Sequence, residues 1–237
     1  MKIFLDAGHN YSAYNTGATG NGLKEQDITW EIAKKCGEIL AKSGLEIKLS
    51  RPNLTDNLGI DNSTSLAVRC KMANDWGADY FVSIHCNAGG GTGTETFCYK
   101  LGTTAEKLAR SVDNAIVYKL GIKSRGIKTS GFYVLLNTKM PAILVETAFI
   151  DTASDALLLK NNKADFAEAI AQGIMNFVGA DNIHPQPEPP PTQITNPQDA
   201  LKKLVEKGII NTPEYWLKAI DVVKSLDELL IKMANSI

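Results

Sequence analysis

Over its first 180 or so residues the chain alternates short apolar runs with stretches of helical period, and that alternation restricts the fold more than any other feature. Lys2 to Asp6, Leu45 to Leu49, Asp79 to Ile84, Thr94 to Tyr99, Phe132 to Leu136 and Ala142 to Val145 read as strands. Glu25 to Lys42, Ser65 to Trp76, Thr103 to Leu120 and Ala164 to Val178 carry apolar residues at three- and four-residue spacing and read as helices. Strand and helix in turn predict an α/β fold, a mostly parallel (mixed) sheet flanked by helices. In such sheets ligands bind beyond the carboxyl ends of the strands.

Six of the nine prolines fall between Pro185 and Pro197. Proline fixes φ and removes a backbone donor, so this stretch predicts an extended spacer rather than core. The expected organisation is therefore an α/β domain over residues 1–179, a Pro-rich linker over 180–197 and a small all-helical module over 198–237. Leu201, Leu204, Ile209, Trp216, Leu230 and Met233 give that module more apolar surface than solvated helices need. About 40 residues without disulfide or metal seldom fold alone, so the module is expected to dock elsewhere or to form a homo-oligomer through its helices.

Charge narrows the function. Twenty-five Lys and Arg against 26 Asp and Glu leave a net charge of -1, which argues against a nucleic-acid partner. No apolar run is long enough for membrane insertion. The opening MKIFLDAGHN reaches Asp6 before a signal peptide could form, so a cytoplasmic site of synthesis is expected. Cys36, Cys70, Cys86 and Cys98 form no CxxC pair and read as reduced thiols.

Of the three histidines, His184 lies in the proline stretch, while His9 and His85 each follow a strand directly. Either imidazole alone can be a satisfied core or surface group. Two at the carboxyl ends of two strands can converge above the sheet. Glu146 ends the run PAILVE and projects at the same edge, where burial makes a carboxylate expensive unless a cation or a proton compensates it. Glu25 opens the first long helix after the glycine-rich TGATGNG; it either serves the helix dipole or reaches the point His9 reaches. Two histidines and a carboxylate make a zinc site with an open fourth position, and the further glutamate is the natural general base. Asp6, Cys86 and Glu95 are rival ligands, though Cys86 adjoins His85 and would face the other way along a strand. Asp6 and Glu95 could instead orient a histidine or a loop.

The strings LDAGHN, LKEQDITWEIA, SLAVRCKMANDWGADYFVSIHCNA, GTETFCY and PAILVETAFIDT closely resemble the zinc-dependent N-acetylmuramoyl-L-alanine amidases of the Amidase_3 type, in order over about residues 1–178. The resemblance implies one zinc per chain held by His9, Glu25 and His85, with Glu146 as catalytic acid/base. It implies hydrolysis of the amide between N-acetylmuramic acid and L-alanine in peptidoglycan. Arg69 and Asn87 also match the pattern; Arg69 is read as a structural ion pair, Asn87 as a substrate contact or a turn cap. The pattern has a second glycine where this chain has Asn10, so that loop is expected to differ. With no export signal expected, the architecture resembles a phage endolysin that degrades the host wall (cytolysis). A sporulation or autolytic amidase, and a non-catalytic zinc-containing wall-binding module closed by a fourth ligand such as Cys86, are the alternatives.

Overall fold

The computed structural model describes residues 1–179, 196–206, 209–210 and 230. Its chain divides into two units, Met1–Pro185 and Gln186–Ile237.

In the first unit a six-stranded sheet is ordered β4-β1-β5-β8-β6-β7. The strands are β1 (Lys2–Ala7), β4 (Glu46–Leu49), β5 (Tyr80–Asn87), β6 (Thr94–Cys98), β7 (Ser124–Thr129) and β8 (Ala142–Phe149). β4, β1, β5 and β8 run parallel; β6 pairs antiparallel with β8, and β7 runs parallel with β6. The starts of β6 and β7 therefore lie at the same edge as the carboxyl ends of β1, β5 and β8. A two-residue hairpin, β2 (Thr19–Gly20) and β3 (Leu23–Lys24), precedes the first helix.

Side chains alternate across a strand, and each central strand is apolar on both faces. Ile3, Leu5, Val82, Ile84, Cys86, Ile143 and Val145 join one core cluster. Its helices are α1 (Glu25–Lys42), α3 (Thr104–Leu120) and α6 (Lys163–Val178). Phe4, Phe81, Ala142 and Leu144 belong to a second cluster with α2 (Asn62–Trp76) and α4 (Tyr133–Leu136). The period-two pattern then places Asp6, His85 and Glu146 on the α2 and α4 face and Cys86 on the other. Fully burying β5 and β8 on both sides is what a doubly covered parallel sheet requires.

One expectation needs correction, and two elements were not expected. Phe132 to Leu136 is not a strand: its last four residues form α4, one helical turn. Thr138 Oγ1 and Asn137 Nδ2 donate to the carbonyls of Val134 and Tyr133 at 2.8 and 2.9 Å, satisfying groups a strand would have paired. Val134 and Leu135 are buried in the second cluster, which outweighs the β preference of FYVLL. The strand in that part of the chain is β7, whose SRGIKT carries polar residues because it is the sheet's edge. A helix α5 (Ala153–Asn161) also follows β8 directly.

All four cysteines are free and buried. Among the described residues no helix is long and apolar enough to cross a membrane. In the second unit, α7 runs Pro197–Glu206, with Pro197 at its first position, where its missing N–H is no loss. Ala200, Leu201 and Leu204 are buried there. Residues 180–195 of the expected linker, and the helices expected beyond Glu206, lie outside the described residues apart from Ile209, Ile210 and Leu230.

Candidate metal centre

The site is assembled where β1, β5 and β8 end. His9 follows β1 in the left-handed region, φ 66°, a conformation costly for a side-chain-bearing residue unless its surroundings enforce it. Two buried arginines do so. Arg69 Nη1 donates to Asp6 and to the carbonyl of Ala7, and its Nη2 to the carbonyl of His9. From the other side Arg51 donates to the carbonyls of Ala7, Gly8 and Gln26. Three successive carbonyls of the metal loop are thus held by two guanidinium forks.

Burial alone would raise the Asp6 carboxyl. Arg69, with the Ser83 and Ser50 hydroxyls, more than offsets that and holds it below the usual range. Asn10, where the resemblance leads us to expect this loop to differ, is buried. Its Oδ1 accepts from Arg69 Nη2 and the Leu58 amide, and its Nδ2 donates to the Leu58 carbonyl at 3.0 Å. The side chain a glycine would lack ties this loop to residue 58.

The His9 ring is turned by Asn15, whose carbonyl and side-chain oxygen lie 3.2 and 3.3 Å from Nδ1. Those acceptors favour the proton on Nδ1 and leave the Nε2 lone pair facing inward. His85 presents Nδ1, and its ring lies against Gly8: a Cβ there would stand 2.5 to 2.8 Å from three ring atoms. Gly17 gives the same clearance to Glu25 and His9. Two glycines therefore make the space in which the three groups meet.

Glu25 is the first residue of α1 and nearly fully buried. Its Oε2 accepts from the Ala18 amide at 2.8 Å and its Oε1 from the Cys86 amide at 2.9 Å. Burial opposes its charge, but the adjoining His85 and His9 rings prevail and hold its carboxyl well below the usual range. Burial likewise lowers the pKa of His85, keeping the imidazole neutral.

The donor atoms His9 Nε2, His85 Nδ1 and Glu25 Oε1 stand 3.0 to 3.1 Å from one another. Ligand atoms of a tetrahedral zinc, with bonds of about 2.0–2.1 Å, are about 3.3 Å apart, so the triangle has the right size for zinc, as does the N,N,O donor set. The triad is the metal-competent cluster among the described residues. Cys86 contributes its amide to Glu25, while its thiol is on the opposite face of β5, at 3.5 Å from Thr147 Oγ1.

Glu146 is the register partner of His85 in β5–β8 and of Glu95 in β6–β8. Its Oε2 is buried without a hydrogen-bond partner. Burial, with repulsion from Glu25 and Glu95, pushes its carboxyl up to about 8. Glu146, the triad, Asn87, Phe132 and Tyr133 line one cavity of about 340 Å³, room for a few residues of substrate rather than an enclosed polymer.

All four expected site residues therefore come together. Asp6 orients the His9 loop through Arg69, and Arg69 is the structural ion pair expected of it. Glu95 makes no contact with the triad and is held instead by Asn87, Arg125 and Lys128. Arg51 and Asn15 were not anticipated; a charged residue two positions after the β4 run was the available sign for Arg51, and no pattern marks Asn15.

A family model described as N-acetylmuramoyl-L-alanine amidase, Amidase_3, matches residues 3–176. The sporulation-specific N-acetylmuramoyl-L-alanine amidase of Bacillus subtilis is 40% identical over 179 residues, 74% of this chain and 66% of that one. An endolysin of Bacillus phage SPP1 is 39% identical over 186 residues, 74% of this chain and 65% of that one. The chain thus spans just under two thirds of the length of these curated relatives. Among solved structures, the amidase AmiC2 of Nostoc punctiforme superposes with a TM-score of 0.68 at 31% identity, over 76% of this chain and 97% of that one. An amidase of Clostridium difficile 630 gives 0.67 at 32% identity, over 75% and 96%.

Proposed function

The chain belongs to the Amidase_3 family of N-acetylmuramoyl-L-alanine amidases, and from that premise we propose that it hydrolyses the amide between N-acetylmuramic acid and L-alanine in peptidoglycan, with one zinc held by His9, Glu25 and His85. The observation that carries this reading is the buried, unpartnered Glu146 carboxyl, register partner of His85, beside a donor triangle of zinc dimensions.

Bound zinc would supply Lewis acidity at the scissile carbonyl and at the attacking water. The remaining work falls to the chain. Glu146 as carboxylate accepts a proton from the attacking water and returns it to the alanine nitrogen as the C–N bond breaks, so no free amide anion leaves. A carboxyl with raised proton affinity suits that exchange near neutral pH. Asn15 and the two arginines keep His9 aimed, and the Ala18 and Cys86 amides keep Glu25 aimed.

The test is product chemistry. Peptidoglycan digested with the chain and zinc should gain N-terminal alanine and no reducing ends, and a chelator should stop it. Reducing ends would make it a glycosidase. Neither product, with zinc bound, would favour a wall-binding module, a reading that the three-donor shell and the averted Cys86 thiol do not support.

Host-wall lysis as a phage endolysin is the proposed setting, supported by the likeness to the SPP1 endolysin. The likeness to the sporulation-specific amidase equally supports a bacterial sporulation or autolytic role. Finding the gene within a prophage lysis cassette or under a sporulation promoter decides between them. For the residues after the linker, wall binding or self-association is proposed. Truncation after Ile183 separates the two: lost wall pelleting marks the first, a halved solution mass the second.

A further inference from the structure

Behind one wall of the cavity stand two cations that the hydrolytic step does not use. Asn87, a lining residue, donates through Nδ2 to Glu95 Oε1 at 2.8 Å. Glu95 Oε2 accepts from Arg125 Nε at 2.7 Å and from Lys128 Nζ at 2.5 Å. Lys128 Nζ lies 5.9 Å from the centre of the Phe97 ring, and that ring meets Phe132, again a lining residue, at 5.1 Å. Both cations are thus tied to residues that line the cavity, to Asn87 through Glu95 and, for Lys128, to Phe132 through Phe97.

One carboxylate faces two cations here, leaving an excess positive charge. Glu95 is nearly buried, with its side chain 6% exposed, while Arg125 and Lys128 are 31% and 39% exposed. The Arg125 guanidinium lies over the Phe149 ring at 4.9 Å. Only its Nε is engaged by Glu95; among the described residues nothing accepts from Nη1 or Nη2. A planar guanidinium stiffened by a ring and one ion pair, with its terminal nitrogens open, is the arrangement that takes a carboxylate in bidentate fashion.

We propose that Arg125, with Lys128 beside it, forms a subsite for a free carboxylate of the stem peptide, so that the preferred substrate is an acidic muramoyl peptide. The inference rests on the amidase reading. On the sugar side the lactyl carboxyl is consumed in the scissile amide, so a carboxylate near the reacting atoms must come from the peptide. Phe149 follows Glu146 in β8 by three residues, about 10 Å of strand. Two residues of extended peptide cover about 7 Å, which with an arginine side chain brings the α-carboxyl of a γ-linked second-position glutamate within reach.

The probes are N-acetylmuramoyl-L-alanyl-D-glutamate γ-methylamide, whose α-carboxylate is free, and its α-amidated counterpart, so that the γ-carboxyl is blocked in both. Binding is measured by calorimetry on the full chain carrying Glu146→Gln with zinc, and cleavage on the wild-type chain. The acid should bind about tenfold tighter than the amide, the yield of one charge-assisted contact. Adding Arg125→Gln should bring that ratio to near one, with Arg125→Lys keeping part of it. Equal binding of the two probes, or a ratio that survives Arg125→Gln, overturns the subsite. Discrimination in binding without alanine release by the wild type would retain the subsite and sink the amidase reading. Cleavage of both probes without discrimination would do the reverse.

Discussion

His85 and Glu146 are direct register partners across the parallel pair β5–β8, so a candidate ligand and a candidate proton carrier leave the same face of the sheet side by side. The backbone pairing sets their spacing, and no loop need close to bring them together. With Glu146 Oε2 otherwise unpartnered, replacing it by Gln should leave the triad and the fold intact. Alanine release should fall by about 10²- to 10⁴-fold while zinc content, read by metal analysis, stays at one per chain. Turnover near wild type would remove Glu146 from the mechanism.

The same residue makes a prediction about stability in chelator-treated protein. Its carboxyl is raised from 4.5 to about 8 by burial and by Glu25 and Glu95. Between those values the folded chain keeps a proton that the unfolded chain has lost, so its contribution to stability declines as pH rises from 4.5 to 8. Glu146→Gln removes the group that must be discharged. The variant should therefore melt with the wild type near pH 4.5 and above it at pH 8, by about 3–10 °C for about 1–3 kcal/mol. A melting difference that does not change with pH would refute the assignment.

The fork on the metal loop can be tested through Arg69. It spans the Asp6 carboxylate and the carbonyls of Ala7 and His9, and the Asp6–Arg69 pair is fully buried. A lysine carries the charge but cannot hold those groups in one plane. Arg69→Lys should lose about 10- to 100-fold in zinc affinity, measured by competition with a chromogenic chelator. Arg69→Met, which leaves Asp6 charged and unpaired, should also cost about 3–5 kcal/mol in urea unfolding. Unchanged zinc affinity in Arg69→Lys would mean the loop holds its shape without the fork.

Much of this site was legible because its residues break local rules. His85 and Glu146 interrupt apolar strands and His9 stands just past the end of one, where a polar group needs a reason, and Glu25 stands after a loop rich in glycine. What was not legible depends on pairing between distant segments. SRGIKT carries no apolar alternation because it is an edge strand, and FYVLL has strand composition but is turned into α4 by the Asn137 and Thr138 side chains. Nothing local signals that β6 and β7 run against β8. That reversal brings Glu95 and Arg125, near the starts of their strands, to the edge where the carboxyl-end rule looks only for strand ends. Arg51 and Asn15 act through backbone carbonyls and a ring nitrogen, contacts that leave no spacing pattern.

Gly8 offers the sharpest separation of site from fold. Its position against the His85 ring leaves no room for a Cβ, the nearest atoms being 2.5 to 2.8 Å away. Its φ is not in the left-handed region, so an alanine there meets crowding rather than backbone strain. The clash falls on a partly exposed ring that can swing into the cavity, whereas the Gly8 backbone is fixed by Thr29 Oγ1 at 2.8 Å and by the Ile84 carbonyl at 3.0 Å. Gly8→Ala should therefore displace Nδ1 of His85 from the triangle before it unfolds the sheet. Zinc affinity should drop by at least about tenfold, with a loss of stability of about 1–3 kcal/mol for the overpacking. Metal competition and urea unfolding on one preparation read both quantities. Full zinc affinity in the variant would show that His85 has another position from which to bind, and the donor triangle would then not be the metal site.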